Sequence, residues 1–581
     1  MSSARVRTTL TAAGLFAGAL LLYARDLGTT PIYLHHDEVL FGVQAQAVAS
    51  TWRDTHGRFL PAYFEVYDAM WFQPIIVYFT ALFLTVLPLS EQALRLPSVV
   101  IAGIDVVLMY AIGRRLFERE WLAIGAAVGL ALTPAHFIFG RMAIDNLYPV
   151  TFLLGWLWCL LVFLERRDAR LLWAASILLG VGRYSYIAAN IMMPLYVVMT
   201  LAILYAIGAS WRLYAVAVSG FVAPLLLSVP FLVRYPQFLA ETLSRYAPRS
   251  TIHLDPLQQA SELLNYTNLS DRVGLFFSFF NPGFLFLSGG GNPVISTRTA
   301  GVFLLPLAVL LPVGIYHACH RYRGMVSAML VAGFFTAPVA AMVVHESEAI
   351  DRELAVLPFG VLLATFGLQY LWSAPIGSLR RFYRPVAVVG VATALAYGVW
   401  SIAWRGRISS STLPLVVASV AVYAIGTASD RVRRWWVMTL CLLVLGVVQF
   451  RSFYTDYFSA YRIRSAGRFE SNRRGAFEAV MAREDPARPA KVYLSRSIPF
   501  GDAVWTFYRL KQHREDLRDA AVVFDAKDFD GSRLPEGTFV VVAATAAADE
   551  ALSRQPALAV VAQIGEPDRS VSFIVLKKQS R

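Results

Sequence analysis

Between Thr8 and about residue 450 the chain alternates long apolar runs with short connections that carry arginine. A helix of about 20 apolar residues spans the hydrocarbon core of a bilayer, so the alternation predicts a polytopic α-helical membrane protein. Runs begin near Thr8, Trp71, Ser98, Trp121, Leu147, Leu171, Asn190, Leu213, Ala300, Met325, Leu354, Pro385, Leu413 and Arg433, fourteen in all. The first follows Arg5 and Arg7, has no small-residue cleavage site after it, and reads as a retained helix.

Arginine-rich short loops stay cytoplasmic. The clusters are Arg5/Arg7, Arg114/Arg115/Arg119, Arg166/Arg167/Arg170, Arg321/Arg323, Arg380/Arg381/Arg384 and Arg431/Arg433/Arg434. From Leu147 onward they fall on every second connection, with the acidic stretch HESEAIDRE (His345 to Glu353) between them; Arg405 and Arg407 depart from the rule. The alternation holds if Trp71 to Gly113 crosses once, one of its two runs being incomplete, re-entrant or interfacial. About 13 transmembrane helices then place the N-terminus inside, and residues 26–70, residues 234–299 and everything after Arg451 outside.

Beyond Arg451 the pattern changes. Strand-like runs (KVYLS, TFVVVAA, LAVVAQI, SFIVLKK) and helical patterns at Gly475 to Arg483 and Ala546 to Arg554 predict an extracytoplasmic α/β domain over residues 451–581. All five lysines, Lys491, Lys511, Lys527, Lys577 and Lys578, lie there. Residues 1–450 form the transmembrane module.

A composition of 57% hydrophobic and 16% charged residues excludes an ordinary soluble enzyme. The formal charge of +13 is spread over short loops, as membrane topology requires, and does not indicate nucleic-acid binding. Cys159, Cys319 and Cys441 sit in apolar runs without disulfide or metal-ligand spacing and read as packing residues.

The first outer loop, residues 26–70, contains YLHHDEVLFG and interleaves aromatic residues with His35, His36, Asp37, Glu38, Asp54, His56, Glu65 and Asp68. Its length marks a functional segment or a disordered one, and its aromatic content favours ordered juxtamembrane helices. Asp37 and Glu38 read equally well as reacting carboxylates or as a solvated pair favoured by a helix N-terminus. In GRMAIDNLYP, Arg141 and Asp145 share a helical face, either as site residues or as an ion pair closing a helix. The topology puts Asp37 and Asp145 on one membrane face, so they can converge. Arg183 and Arg352 are ionisable groups at costly positions, although Arg183 can also snorkel to the interface. Tyr184 and Tyr186 read as interface anchors, His136 as a packed or interfacial histidine, and NPGFLFLSGGGNPVISTR (Asn281 to Arg298) as a flexible outer loop.

Seven short pieces in order resemble the GT-C superfamily of polyprenyl-phosphate-sugar-dependent glycosyltransferases, in the bacterial branch of the protein O-mannosyltransferases and aminoarabinose transferases. They are Asp37-Glu38, Gln73-Pro74, RLPS (Arg95 to Ser98), GRRLF (Gly113 to Phe117), Arg141 with Asp145, PGFLF (Pro282 to Phe286), and Arg352 with Pro358. The resemblance implies that Asp37 is the catalytic base on the acceptor hydroxyl and that Asp145 helps organise the site, with Glu38 beside them. A polyprenyl phosphate would be the leaving group, so cations must offset its charge while a carboxylate takes the hydroxyl proton. The aminoarabinose branch carries Glu-Lys where this chain has Phe72 and Gln73, and no lysine precedes Lys491. Phosphate binding in the membrane half therefore falls to arginine, whose planar fork suits it; Arg352, Arg183 and Arg141 are the candidates. A divalent metal ion would find ligands among His36, Glu38 and Asp145.

The sequence thus predicts a bacterial inner-membrane glycosyltransferase. Its partners would be a polyprenyl-phosphate-linked sugar donor, a glycan, lipid or protein acceptor and membrane lipid, with transfer on the outer face and inversion. A transporter or lipid flippase is the alternative; no internal repeat supports it.

Overall fold

The computed structural model describes residues 3–67, 70–238, 241, 266–320, 324–344, 346–373, 380–405, 412, 416, 419–420, 431–486 and 489–579. Asp68, residues 239–240 and 242–265 of the expected outer loop, His345, and most of the run expected at Leu413 lie outside the described residues.

Helix α1 (Ser3–Tyr23) is followed by a connection that leads into α2 (His36–Thr51). His35 is the N-cap of α2: its side chain accepts from the Asp37 backbone N–H, while the Glu38 carboxylate accepts from the His35 N–H at 2.9 Å. This reciprocal cap satisfies donors that would otherwise be orphaned at the helix start and is worth about 1 kcal/mol. An antiparallel pair, β1 (Phe64–Tyr67) and β2 (Met70–Phe72), closes the first loop. The loop is ordered, as its aromatic content implied.

Helix α3 (Pro74–Leu84) starts on a proline at its first turn and has 11 residues. At about 1.5 Å per residue it rises about 16 Å, half of the roughly 30 Å hydrocarbon core. The complete crossing in this interval is α4 (Glu91–Leu116), capped by the Ser90 hydroxyl on the Ala93 N–H and ending on Arg114 and Arg115, whose charges suit a helix C-terminus.

Among the described residues, six helical stretches are long and apolar enough to cross a membrane by length and composition: Arg5–Tyr23, Glu91–Leu116, Asp145–Arg166, Ala189–Ala206, Trp211–Arg234 and Met325–Met342. Shorter apolar helices are Pro74–Leu84, Glu120–Ala131, Ala169–Gly182, Pro306–His320, Val356–Trp372 and Val388–Ala403. Helices Arg380–Arg405 and Arg431–Phe458 occupy two further expected runs, and some of the expected runs are interrupted as helices. The run from Trp121, for example, is divided between Glu120–Ala131 and Pro134–Phe139 by a break at Leu132 and Thr133.

A long helix, Arg431–Phe458, leads to a five-stranded mixed sheet in the order β4-β3-β5-β7-β6. Strand β3 (Val492–Ser495) runs parallel to β4 (Ala521–Phe524) and β5 (Phe539–Ala543); β7 (Val571–Lys578) is antiparallel to β5 and to β6 (Leu558–Gly565). Every side chain of β5 is buried, as an unbroken apolar strand requires. The four strand-like runs read from the sequence are present. The fifth, β4, lies at the sheet edge, is mostly only half-buried and was not anticipated.

This C-terminal part grips the N-terminal loop and the start of α4. The Tyr33 hydroxyl donates to Glu566 at 2.7 Å, Arg473 to the Leu34 carbonyl at 3.0 Å, and Lys511 to both carboxylate oxygens of Glu91 at 2.9 and 2.8 Å.

Candidate active site

The first turn of α2, the segment from Met142 to Asn146, the glycine run and the acidic loop before Val356 surround one cavity of about 640 Å3. Each wall has a local cause. Ala143 is fixed because its N–H donates to Glu38 at 2.9 Å. Asp145 opens a one-turn 3-10 helix, and Asn146 donates to the Asp351 carbonyl at 3.3 Å, joining this wall to the acidic loop. Gly289 adopts φ +65°, which a residue with a Cβ rarely adopts, and a Cβ on Gly290 would meet the Glu348 carbonyl oxygen at 2.7 Å. The glycine run is therefore packed against the acidic loop, with Gly291 and Asn292 lining the cavity. Reading it as a flexible loop failed because the contact that requires glycine is more than fifty residues away in sequence.

Asp37 lines the cavity with its side chain 37% exposed, and its carboxylate oxygens lie 3.6 Å from His35 Nδ1 and 3.5 Å from His36 Nε2. Asp145 sits in the turn between the lining residues Ile144 and Asn146, within electrostatic range of Asp37, Arg352 and Asp351. The two aspartates are thus close enough to interact electrostatically.

Arg352 faces the same cavity. Its guanidinium pairs with Glu346 (Nε to Oε2 2.5 Å, Nη2 to Oε1 3.2 Å), and Nη1 donates to the Tyr186 hydroxyl at 3.3 Å. Burial works against its charge, but Glu346 and the neighbouring groups outweigh it and hold its pKa above the ordinary arginine value. Tyr186 is buried and holds this arginine, and the Tyr184 hydroxyl donates to the Pro224 carbonyl at 2.9 Å, so neither is merely an interface anchor. Burial pushes the Asp351 carboxyl up to about 6 even though Arg352 pulls the other way. Glu353 is 1% exposed and, among the described residues, has neither oxygen hydrogen-bonded; burial, then the charge of Asp351, pushes its pKa well up.

Glu38 does not face the cavity, contrary to its expected place beside Asp37 as a reacting or metal-binding carboxylate. It is fully buried and accepts from Arg95 Nε at 2.8 Å, Arg95 Nη2 at 2.9 Å and the His35 and Ala143 N–H groups. Arg95 also donates to the carbonyls of Leu27, Pro31 and Tyr33 at 2.8 to 2.9 Å. The pair ties the α1–α2 connection, α4 and the Asp145 segment together and so positions both aspartates. A buried pair of this kind is tolerable only because both partners are fully hydrogen-bonded.

Arg141 is likewise buried away from the cavity. It donates to the carbonyls of Tyr23 and, at 2.9 Å, Thr30, and its guanidinium lies over the Phe137, Tyr457 and Phe458 rings. It fastens the end of α1 and does not pair with Asp145. Arg183 lies over Tyr184 at 5.6 Å and does not line the cavity. Of the three arginines expected to meet phosphate, the structure brings Arg352 to the cavity. His136 is a packed histidine, between the Tyr23 hydroxyl at 2.9 Å and Asp105 at 3.3 Å.

Two histidines and a distant glutamate form a further cluster at the rim. His36 Nδ1 lies 2.6 Å from Glu470 Oε1, the His35 and His36 rings are 3.9 Å apart, and His36 stacks on Phe500 at 4.3 Å. Burial lowers the His35 pKa. For His36, burial is outweighed by Glu470 and Asp37 and the pKa is raised; for Glu470, burial is outweighed by His36 and Arg473 and the pKa is lowered. His36 is thus grouped with His35 and Glu470, not with Glu38 and Asp145 as expected. Glu470, 434 positions from His36, carried no local signal.

Residues 73–233 match the dolichyl-phosphate-mannose-protein mannosyltransferase family. That segment includes Gln73-Pro74, RLPS, GRRLF, Arg141 and Asp145, but neither Asp37 nor Arg352. No curated protein sequence is significantly similar to the chain. Its fold is similar to that of ArnT from Cupriavidus metallidurans bound to undecaprenyl phosphate, with a TM-score of 0.59 at 16% identity and 97% of each chain covered. The same protein in its apo state gives 0.56 at 16% identity, covering 99% of this chain and 98% of that one. The resemblance read from the motifs is matched by the mannosyltransferase family over residues 73–233, and the chain shares the helical fold of ArnT.

Proposed function

We propose that the chain transfers a sugar from a polyprenyl-phosphate donor to an acceptor hydroxyl on the outer face of the membrane, with inversion. The observation that carries this reading is that one cavity brings together Asp37 and Arg352, residues 315 positions apart, on a fold shared with a protein crystallised with undecaprenyl phosphate.

The Asp37 carboxylate takes the proton of the acceptor hydroxyl as its oxygen attacks the anomeric carbon. The bond from that carbon to the phosphate oxygen breaks, and the electron pair leaves with the polyprenyl phosphate. Arg352 lines the cavity and can exchange the half-exposed Glu346 (46% exposed) for the leaving phosphate. Charge-assisted hydrogen bonds of this kind stabilise the transition state when the donors are already in place. A single displacement inverts the anomeric configuration. Asn146, Asn292 and Asp351 offer hydrogen-bonding groups for the sugar. The transporter or flippase reading is not favoured by the match to a mannosyltransferase family.

The test is mass spectrometry of lipid extracts and surface glycans from a strain lacking the gene. This reading expects an accumulated polyprenyl-phosphate sugar and one lost glycosylation. Unchanged lipid-linked sugars and unchanged glycans would remove it.

A further inference from the structure

We propose that His35, His36 and Glu470 form a divalent-cation site of the zinc class at the rim of the cavity. One donor atom from each of the three side chains lies within 4.8 Å of the others, the one such group among the described residues. Two imidazole nitrogens and one carboxylate oxygen are a borderline-soft set. They suit zinc, which takes nitrogen and oxygen at about 2.0–2.1 Å, and do not suit magnesium or calcium, which take oxygen.

Each ligand is aimed by a neighbour. Arg473 pairs with Glu470 Oε2 at 2.5 Å and is itself anchored on the Leu34 and Pro499 carbonyls at 3.0 and 2.8 Å, so Oε1 is the oxygen turned toward His36. His36 is held by its stacking on Phe500, and His35 is fixed as the N-cap of α2. Orientation of ligands by such outer partners is what distinguishes a built metal site from a chance cluster. The 2.6 Å contact from His36 Nδ1 to Glu470 Oε1 must open, because tetrahedral ligands at zinc distances stand about 3.3 Å apart. That movement of under an ångström falls on two side chains and no backbone. Three protein ligands leave a fourth position, while the Asp37 carboxylate lies beside the other ring nitrogens, His35 Nδ1 and His36 Nε2, and orients both imidazoles from outside the site.

The cavity's charge gives the site a purpose, a step that rests on the glycosyl-transfer reading. Asp37, Glu346, Glu348 and Asp351 line it against Arg352 alone, an unfavourable surface for an anionic donor. A dication at the rim offsets two of those charges where this chain lacks a membrane-half lysine.

The test uses the full chain, purified through a histidine-free tag and reconstituted in nanodiscs. Zinc content is measured after dialysis against zinc, and the visible spectrum after cobalt loading. One equivalent of zinc and a tetrahedral cobalt band are expected in the native chain, with at least a tenfold loss of affinity in Glu470→Gln and in His36→Asn. Both variants keep a polar side chain, and each must elute as a single species with native-like melting. His36→Gln replaces His36→Asn if the latter aggregates. Asp351→Asn should bind zinc as the native chain does. No stoichiometric zinc, or zinc lost in Asp351→Asn but retained in Glu470→Gln, would overturn the site. Neither readout depends on turnover: zinc binding without glycosyl transfer would refute the transfer reading and leave the site standing, and the converse would do the opposite.

Discussion

Glu38→Gln separates scaffold from chemistry, because Glu38 and its neighbour Asp37 are assigned opposite roles. The Glu38 carboxylate accepts four hydrogen bonds, two at each oxygen: Arg95 Nε and the Ala143 N–H at Oε1, and Arg95 Nη2 and the His35 N–H at Oε2. A glutamine keeps one oxygen and puts an NH2 group at the other, so two donors are left facing a donor. The Arg95 charge also stays buried, at 1% exposure, without its counter-charge. Breaking a buried pair from one side costs about 3–5 kcal/mol, which lowers the folded-to-unfolded ratio by about two to more than three orders of magnitude. Asp37→Asn changes a side chain that is 37% exposed and outside this network, and should stay within about 0.5 kcal/mol of the native chain. Thermal unfolding in nanodiscs, followed by tryptophan fluorescence, measures both variants. Glu38→Gln melting with the native chain while losing turnover as fully as Asp37→Asn would refute the reasoning and return Glu38 to the reacting groups.

Arg352→Ala should lose donor-lipid binding as well as turnover, and Arg352→Lys should keep part of both through its charge; unchanged donor affinity in a folded Arg352→Ala chain would show that Arg352 serves only as the partner of Glu346. Asp351 titrates at about 6 in the fold, above its ordinary 3.8, so the folded state binds the extra proton between those values. Its contribution to stability is therefore greatest below about pH 4, falls as pH rises toward 6 and is constant above; Asp351→Asn should flatten that segment of the stability profile, and an unaltered profile would contradict the assignment. A phosphatase reporter fused after Lys578 should be active if the C-terminal sheet lies outside the membrane, and an inactive fusion would place it inside.

What the sequence made legible follows from how local each signal is. Apolar run length announces a membrane helix without reference to any other residue, and short β-branched apolar runs announced β3, β5, β6 and β7. Asp37, Asp145 and Arg352 stood out because ionisable groups beside a bilayer are costly; the cavity gathers Asp37 and Arg352, with Asp145 in the turn between two of its lining residues. Partnerships were not legible. Glu38 and Asp37 are adjacent and look alike, and only Arg95, 57 positions on and visible in the sequence merely as part of RLPS, distinguishes buried strut from cavity wall. Arg141 looked like a phosphate ligand because its aromatic and carbonyl partners come from α1 and from residues 457 and 458. Apolar run length also cannot reveal where a helix breaks inside a run, as it does between Ala131 and Pro134.

The most direct test of the account is single-turnover transfer from a radiolabelled polyprenyl-phosphate sugar by the purified chain in proteoliposomes, comparing the native protein with Asp37→Asn. General-base catalysis contributes about 10^2–10^4-fold. The account therefore predicts acceptor-dependent release of polyprenyl phosphate by the native chain, and a rate at least about 100-fold lower in Asp37→Asn with donor binding retained. Transfer by Asp37→Asn at the native rate would contradict it.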